Sequence, residues 1–138
     1  MTGKTTRTAA ATVALTLTVA APAMVAAHHG WGWTQAEESR LEGEIVSISF
    51  GNPHMHLQLR EQRAGFSAPQ MWEVDLAPPI VAARSGFGPE HAAPGDRAVL
   101  TGHRARDMDM LGFKAERIIV RGRTFDVYPQ RERTLPAE

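Results

Sequence analysis

Residues 44–60 read Glu-Ile-Val-Ser-Ile-Ser-Phe-Gly-Asn-Pro-His-Met-His-Leu-Gln-Leu-Arg. Two alternating runs stand on either side of turn chemistry. In the first, Val46, Ile48 and Phe50 share one face, and Ser47 and Ser49 share the other. Gly51-Asn52-Pro53 then favours chain reversal, because glycine and asparagine tolerate turn dihedrals and proline fixes its own. From His54 the alternation is strict: Met55, Leu57 and Leu59 point one way, His54, His56, Gln58 and Arg60 the other. A period of two on both sides of a turn predicts an antiparallel hairpin with one buried face.

The pattern continues downstream. Residues 71–76 predict a third strand with Trp72, Val74 and Leu76 inward and Glu73 and Asp75 outward. Pro78 and Pro79 suit the first turn of a helix, where a missing N–H costs nothing. Residues 80–85 follow as a short helix stopped at Gly86. After the turn Pro94-Gly95-Asp96, further strands are expected at 97–103, 114–120 and 124–128, the last two joined by a tight turn at Arg121-Gly122-Arg123. Residues 28–40 lack hydrophobic periodicity and predict an extended arm, with a helical turn at 35–40. Residues 129–138 are charged and expected to fray. The prediction is mainly β: a small, partly open OB-like β-barrel of five to six strands, with one short helix between strands three and four. A two-layer sandwich or roll with the helix plugging one end is the alternative.

The 138 residues allow one domain. There is no cysteine, so neither a disulfide nor a thiolate ligand enters the argument. Fifteen basic and fifteen acidic residues balance, which gives no electrostatic footprint for nucleic acid. Gly-rich phosphate loops, the Gly-x-Ser-x-Gly elbow and His-Glu-x-x-His do not occur in the chain.

Residues 1–27 differ from the rest. Lys4 and Arg7 precede an apolar run, no acidic residue occurs before Glu37, and Val25-Ala26-Ala27 offers small residues for cleavage. This is the pattern of a secretory signal peptide. Three Thr and Pro22 in the apolar part make it a weak membrane span. Removing 27 of the 138 residues leaves 111, starting at His28-His29-Gly30-Trp31 and carrying a formal charge of −2, since Lys4 and Arg7 depart. Cleavage after Ala23 or Ala26 is the alternative. The expected organisation is leader 1–27, arm 28–40, barrel 41–128 and tail 129–138. The expected location is the periplasm, with no membrane attachment once the leader is gone.

Histidine carries the chemistry. There are six: His28, His29, His54, His56, His91 and His103. Neutral imidazole is the commonest metal ligand. His54 and His56, two apart on a strand, are expected on one face about 7 Å apart. With cleavage after Ala27, His28 supplies an α-amine and an imidazole from one residue, with ordinary pKa values of about 8 and 6.5. A third nitrogen from His29, His54 or His56 completes a set that favours Cu(II), the strongest binder among the divalent ions. Cleavage one residue earlier leaves Ala27-His28-His29, whose third-position histidine and intervening amides also suit copper. The expected metal ligands are therefore His28, His29, His54 and His56, with copper as the ion.

Other residues have plainer readings. Met108 and Met110 form a thioether pair suited to Cu(I), although methionines more often fill gaps. His103 is expected to be a partly buried, hydrogen-bonded ring on the fourth strand, and His91 to be solvated beside Glu90. Trp31 and Trp33 are expected to pin the arm onto the barrel.

The order of short motifs carries a resemblance. His28-His29-Gly30-Trp31, Asn52-Pro53-His54, Trp72-Glu73, Arg84-Ser85-Gly86, Pro94-Gly95-Asp96 and Ala105-Arg106-Asp107 follow one another as in the exported bacterial family called domain of unknown function 6152, which this chain resembles. Gly30 and Trp31 replace the family's serine and phenylalanine, and Met108 stands where glycine is frequent. The resemblance implies an exported, small β-rich domain. It also draws His28, His29 and His54 together.

The leading expectation is a periplasmic copper-binding protein that binds, buffers or transfers the metal rather than catalysing a reaction, with a periplasmic protein as a further partner. The alternatives are a metal-free ligand or partner module using Arg60, Glu73 and the tryptophans, and a mono-copper oxidative enzyme.

Overall fold

The computed structural model describes Thr2, Gly3 and residues 30–136. The leader assignment, His28 and His29 lie outside the described residues.

Among the described residues, six strands and one short helix follow in order: β1 (Ser39–Ser49), β2 (His56–Glu61), β3 (Gln70–Asp75), α1 (Pro79–Ala82), β4 (Arg97–Arg104), β5 (Gly112–Val120) and β6 (Arg123–Asp126). A 3-10 turn (Ala83–Ser85) extends α1 to Gly86. The sheet order is β3-β2-β1-β4-β5-β6, and a parallel pairing of β3 with β5 closes the first five strands into a barrel. That closure, with a helix between the third and fourth strands, is the OB-like arrangement expected from the sequence. Arg121 and Gly122, both at positive φ, make the two-residue turn between β5 and β6.

The core follows the predicted alternation. Leu57, Leu59, Val74 and Leu76 are sealed inside with Leu41, Ile45, Leu100, Phe113 and Ile118. One parity differs from expectation. The β1–β2 register slips between Ile45 and Ser47, so Val46 is an extra residue, and Leu41 and Ile45 fill the core before it. A bulge of this kind moves the inward face by one residue and bends the strand.

A second bulge lies between Thr101 and Gly102 of β4, opposite Arg117 and Ala115 of β5, which leaves Glu116 as the extra residue. Each bulge sits near a glycine that neighbouring backbone crowds. A Cβ on Gly43 would lie 2.4 Å from the Arg60 carbonyl oxygen, and one on Gly102 would lie 2.1 Å from that of Lys114. These are the barrel corners, where strands cross too closely for a side chain.

The ends of the domain differ from the extended-and-frayed expectation. The helical turn expected at 35–40 is absent, and Ser39 and Arg40 already belong to β1. Thr34 bridges to Ala105, and Trp33 packs against Gly112. Residues 129–136 are tied down. The Glu38 carboxylate accepts hydrogen bonds from Thr134 N–H and Oγ1–H, each at 2.5 Å, and from Leu135 N–H at 2.8 Å. Burial alone would raise the Glu38 carboxyl pKa, but these donors hold it below the usual carboxylate range. Among the described residues, no helix is long and apolar enough to cross a membrane.

Candidate functional site

Strand register assembles a row of chemically capable side chains. His56 on β2 stands opposite Asp75 on β3, Asp75 opposite Lys114 on β5, and Lys114 opposite His103 on β4. His56 Nδ1 lies 2.7 Å from an Asp75 carboxylate oxygen, at the solvent-facing end of the row. The other end is sealed. Lys114 is 1% exposed, Glu116 is 0% exposed and His103 is 7% exposed. The arm and the tail cover them.

Trp31 is the lid over this buried part. The Arg131 guanidinium stacks on its ring at 3.8 Å, and the Lys114 ammonium lies 4.9 Å from the ring centroid. Tyr128 and His103 meet the same indole edge-on at 5.1 and 5.5 Å. Lys114 Nζ donates to the Gly30 carbonyl at 3.0 Å, which anchors the arm at its first described residue before Trp31. Beneath the lid, one Glu116 oxygen accepts from Arg131 Nε and lies 3.1 Å from His103 Nε2, while the other has no hydrogen-bond partner. His103 Nδ1 faces the carbonyls of Gln35 and Glu37, both at 3.1 Å.

Burial sets the electrostatics. It holds the Lys114 ammonium below the ordinary lysine range, with the nearby Asp75 carboxylate opposing and Arg131 reinforcing the shift. It pushes the Tyr128 hydroxyl up to about 12, helped by Asp75 and Glu116 and opposed by Arg131.

A cavity of about 370 Å³ opens beside this cluster, walled by Gly30, Trp31, His54, Lys114, Tyr128 and Arg131, with Arg84 and apolar Pro78 and Val81 completing it. That volume is within the range of small-ligand sites. The larger depression of about 670 Å³ lies among Glu42, Glu44, Arg60 and Arg97. Those charges already pair, Arg60 with Glu44 at 2.7 Å and Arg97 with Glu42 at 2.9 Å, and all are exposed to water.

The histidines separate into different settings. The sequence puts His54 and His56 on one strand face, but β2 begins at His56. His54 follows the cis Asn52–Pro53 bond in the turn and lines the cavity. His56 is on the barrel's outer face with Asp75. His103 is buried and hydrogen-bonded as expected. His91 is not solvated: its ring lies against Phe125 and Phe87 at 4.8 and 6.4 Å, and Nδ1 accepts from Gly88 N–H. Among the described residues, no group of three or more His, Cys, Asp or Glu is arranged to hold a metal.

Lys114, Glu116, Tyr128 and Arg131 escaped the sequence reading. Lys114 and Glu116 alternate with Phe113 and Ala115, a pattern that reads as a solvated strand face. Only the long-range return of residues 30–34 and 128–135 buries them.

A family model described as "Family of unknown function (DUF6152)" matches residues 14–114. No curated protein and no solved structure matches the chain.

Proposed function

The chain belongs to the DUF6152 family of unknown function, and from that premise we propose an exported copper-binding protein that buffers or hands over the metal. One observation carries the reading: the Gly30 carbonyl is anchored by Lys114 in the wall of the cavity that His54 also lines. His28 precedes Gly30 by two residues, about 7 Å of extended chain at most. In this reading the amine and imidazole of His28 and the imidazole of His29 join the ring of His54 around one ion.

The test is a Cu(II) titration of the exported protein, with its first residue fixed by intact mass. Tight one-to-one binding by a chain starting at His28 is expected. The substitution His54→Ala should weaken it roughly 10-fold or more, about 1.4 kcal/mol. Three alanines inserted ahead of His28, which move the amine away and leave no histidine at position three, should abolish tight binding. Equal affinity with the insertion would remove the amine from the site. Affinity no better than that of a surface histidine pair would remove copper altogether.

A second reading rests on the cavity wall. It carries Lys114, Arg84 and Arg131 beside two aromatic rings, and among the described residues no carboxylate lines it. Such a wall suits a small organic anion. Saturable anion binding that survives replacement of both His28 and His54 by alanine would favour a metal-free ligand module.

A further inference from the structure

Met71, Met108 and Met110 are 41%, 82% and 47% exposed, and the other exposed large hydrophobics are Phe66 and Ile80. Thioether side chains normally pack inside, where their flexibility fills gaps. Here three of them face water on one part of the surface. Met71 is on the outward parity of β3, with Glu73 and Asp75. The parallel register of Glu73 with Gly112, followed back two residues on each chain, puts Met71 beside Met110. Both line a shallow cavity of about 400 Å³ with Glu73 and Asp109. Met110 also joins Met108 in lining an adjoining cavity of about 170 Å³.

The loop that presents them is fixed by its own hydrogen bonds. Asp109 N–H donates to the Asp107 carboxylate at 3.0 Å, and Met110 N–H donates to the Asp107 carbonyl at 3.1 Å. Gln35 Nε2–H donates to the Met108 sulfur at 3.5 Å, which orients that thioether. Strands in a sheet lie about 4.8 Å apart, a gap that two side chains with three torsions each can close around one ion.

We propose that Met71, Met108 and Met110 form a second metal site, selective for a soft monovalent cation of the Cu(I) or Ag(I) class. Thioethers prefer such ions over hard or borderline ones, and a chain without cysteine has no softer donor. The Asp109 carboxylate at the rim offsets one positive charge. The choice of copper as the natural ion rests on the function proposed above, whereas the thioether site stands on its own residues.

The experiment is a titration of the methionine-methyl-labelled protein with Ag(I), a redox-silent stand-in, and with Cu(I) under anaerobic conditions in competition with a chromophoric chelator. The methyl resonances of Met71, Met108 and Met110 should shift together at one equivalent. Met55, 1% exposed in the core, is the internal control and should not move. Replacing all three by leucine conserves volume at exposed positions, so circular dichroism should be unchanged while Cu(I) affinity falls about 100-fold. The chain with three alanines ahead of His28 should lose tight Cu(II) binding and keep the Cu(I) site, which separates the two proposals. Unshifted methyls on Ag(I) binding, or full Cu(I) affinity in the triple variant, would overturn the thioether site whatever happens at the histidines.

Discussion

The barrel carries two sets of paired polar side chains, and water distinguishes them. On the outer hairpin face, Ser47, Gln58 and Glu73 form a chain of hydrogen bonds at 3.1 and 2.8 Å, flanked by Arg60 with Glu44 and by Arg97 with Glu42. At the arm-covered end, Arg131, Glu116 and His103 form an equally continuous chain with the Glu116 carboxylate fully buried. The contacts are of similar type. In the first set each partner has water as an alternative, so each pair is worth little. In the second, removing one partner strands another in a medium that cannot solvate it. Sequence alternation assigns Gln58, Glu73 and Glu116 alike to the outside of a strand, but Glu116 is buried.

Glu116→Ala is the strongest attempt to break this contrast. It should destabilise the fold by about 3 kcal/mol, because Arg131 and His103 lose their shared carboxylate under the Trp31 lid. For a domain of this size that corresponds to a fall in Tm on the order of 10 °C in a thermal melt. A loss below about 1 kcal/mol would make the two sets equivalent.

Tyr128 sharpens the contrast without a mutation. It is the chain's sole tyrosine, so the change in ultraviolet absorbance on phenol ionisation reads it alone. The midpoint should lie at about 12 in the folded protein, against about 10 in urea. The folded pKa is the higher, so the stabilisation from the neutral phenol is complete below pH 10. It drains away between about 10 and 12 as the unfolded state releases its proton first. Lys114 acts in the opposite sense: its folded pKa is lowered, so stability is regained as pH rises through the free-lysine value of about 10.4. Chemical denaturation across this window should therefore show a decline that Tyr128→Phe removes. An unshifted midpoint would mean that the lid leaves the phenol wet.

The smallest effect belongs to the outer ladder. Arg60→Ala removes the 2.7 Å contact with Glu44 and should change stability by no more than about 0.5 kcal/mol in a denaturant melt. A loss above 1 kcal/mol would show that the exposed network acts as a unit.

The barrel was legible because its inward residues keep a period of two within each strand, and because proline and glycine mark the breaks. Where a bulge intervened, that reading slipped. Val46 takes the extra position in β1, and no local signal distinguishes it from Ile45. The turn misled the reading of His54 for a related reason: strict alternation from His54 to Arg60 looks like strand, yet pairing begins at His56. Of the buried cluster, the burial of His103 and the packing of Trp31 were legible, whereas Lys114, Glu116, Tyr128 and Arg131 were not. Lys114 and Glu116 owe their burial to Trp31 and Arg131, respectively 83 and 15 or more positions away along the chain, and only tertiary packing brings those together.

β5 pairs with β4 along one edge, and with β3 and then β6 along the other. Closure of the barrel thus waits for a segment that begins at Gly112. A chain that has emerged only as far as Leu111 has the open edges of β3 and β4 and nothing to join them. It also lacks Phe113 and Ile118, two of the side chains that fill the barrel. Closure is therefore a late event in synthesis. Nonsense or frameshift changes between Gly112 and Val120 should yield a protease-sensitive polypeptide rather than a shortened barrel.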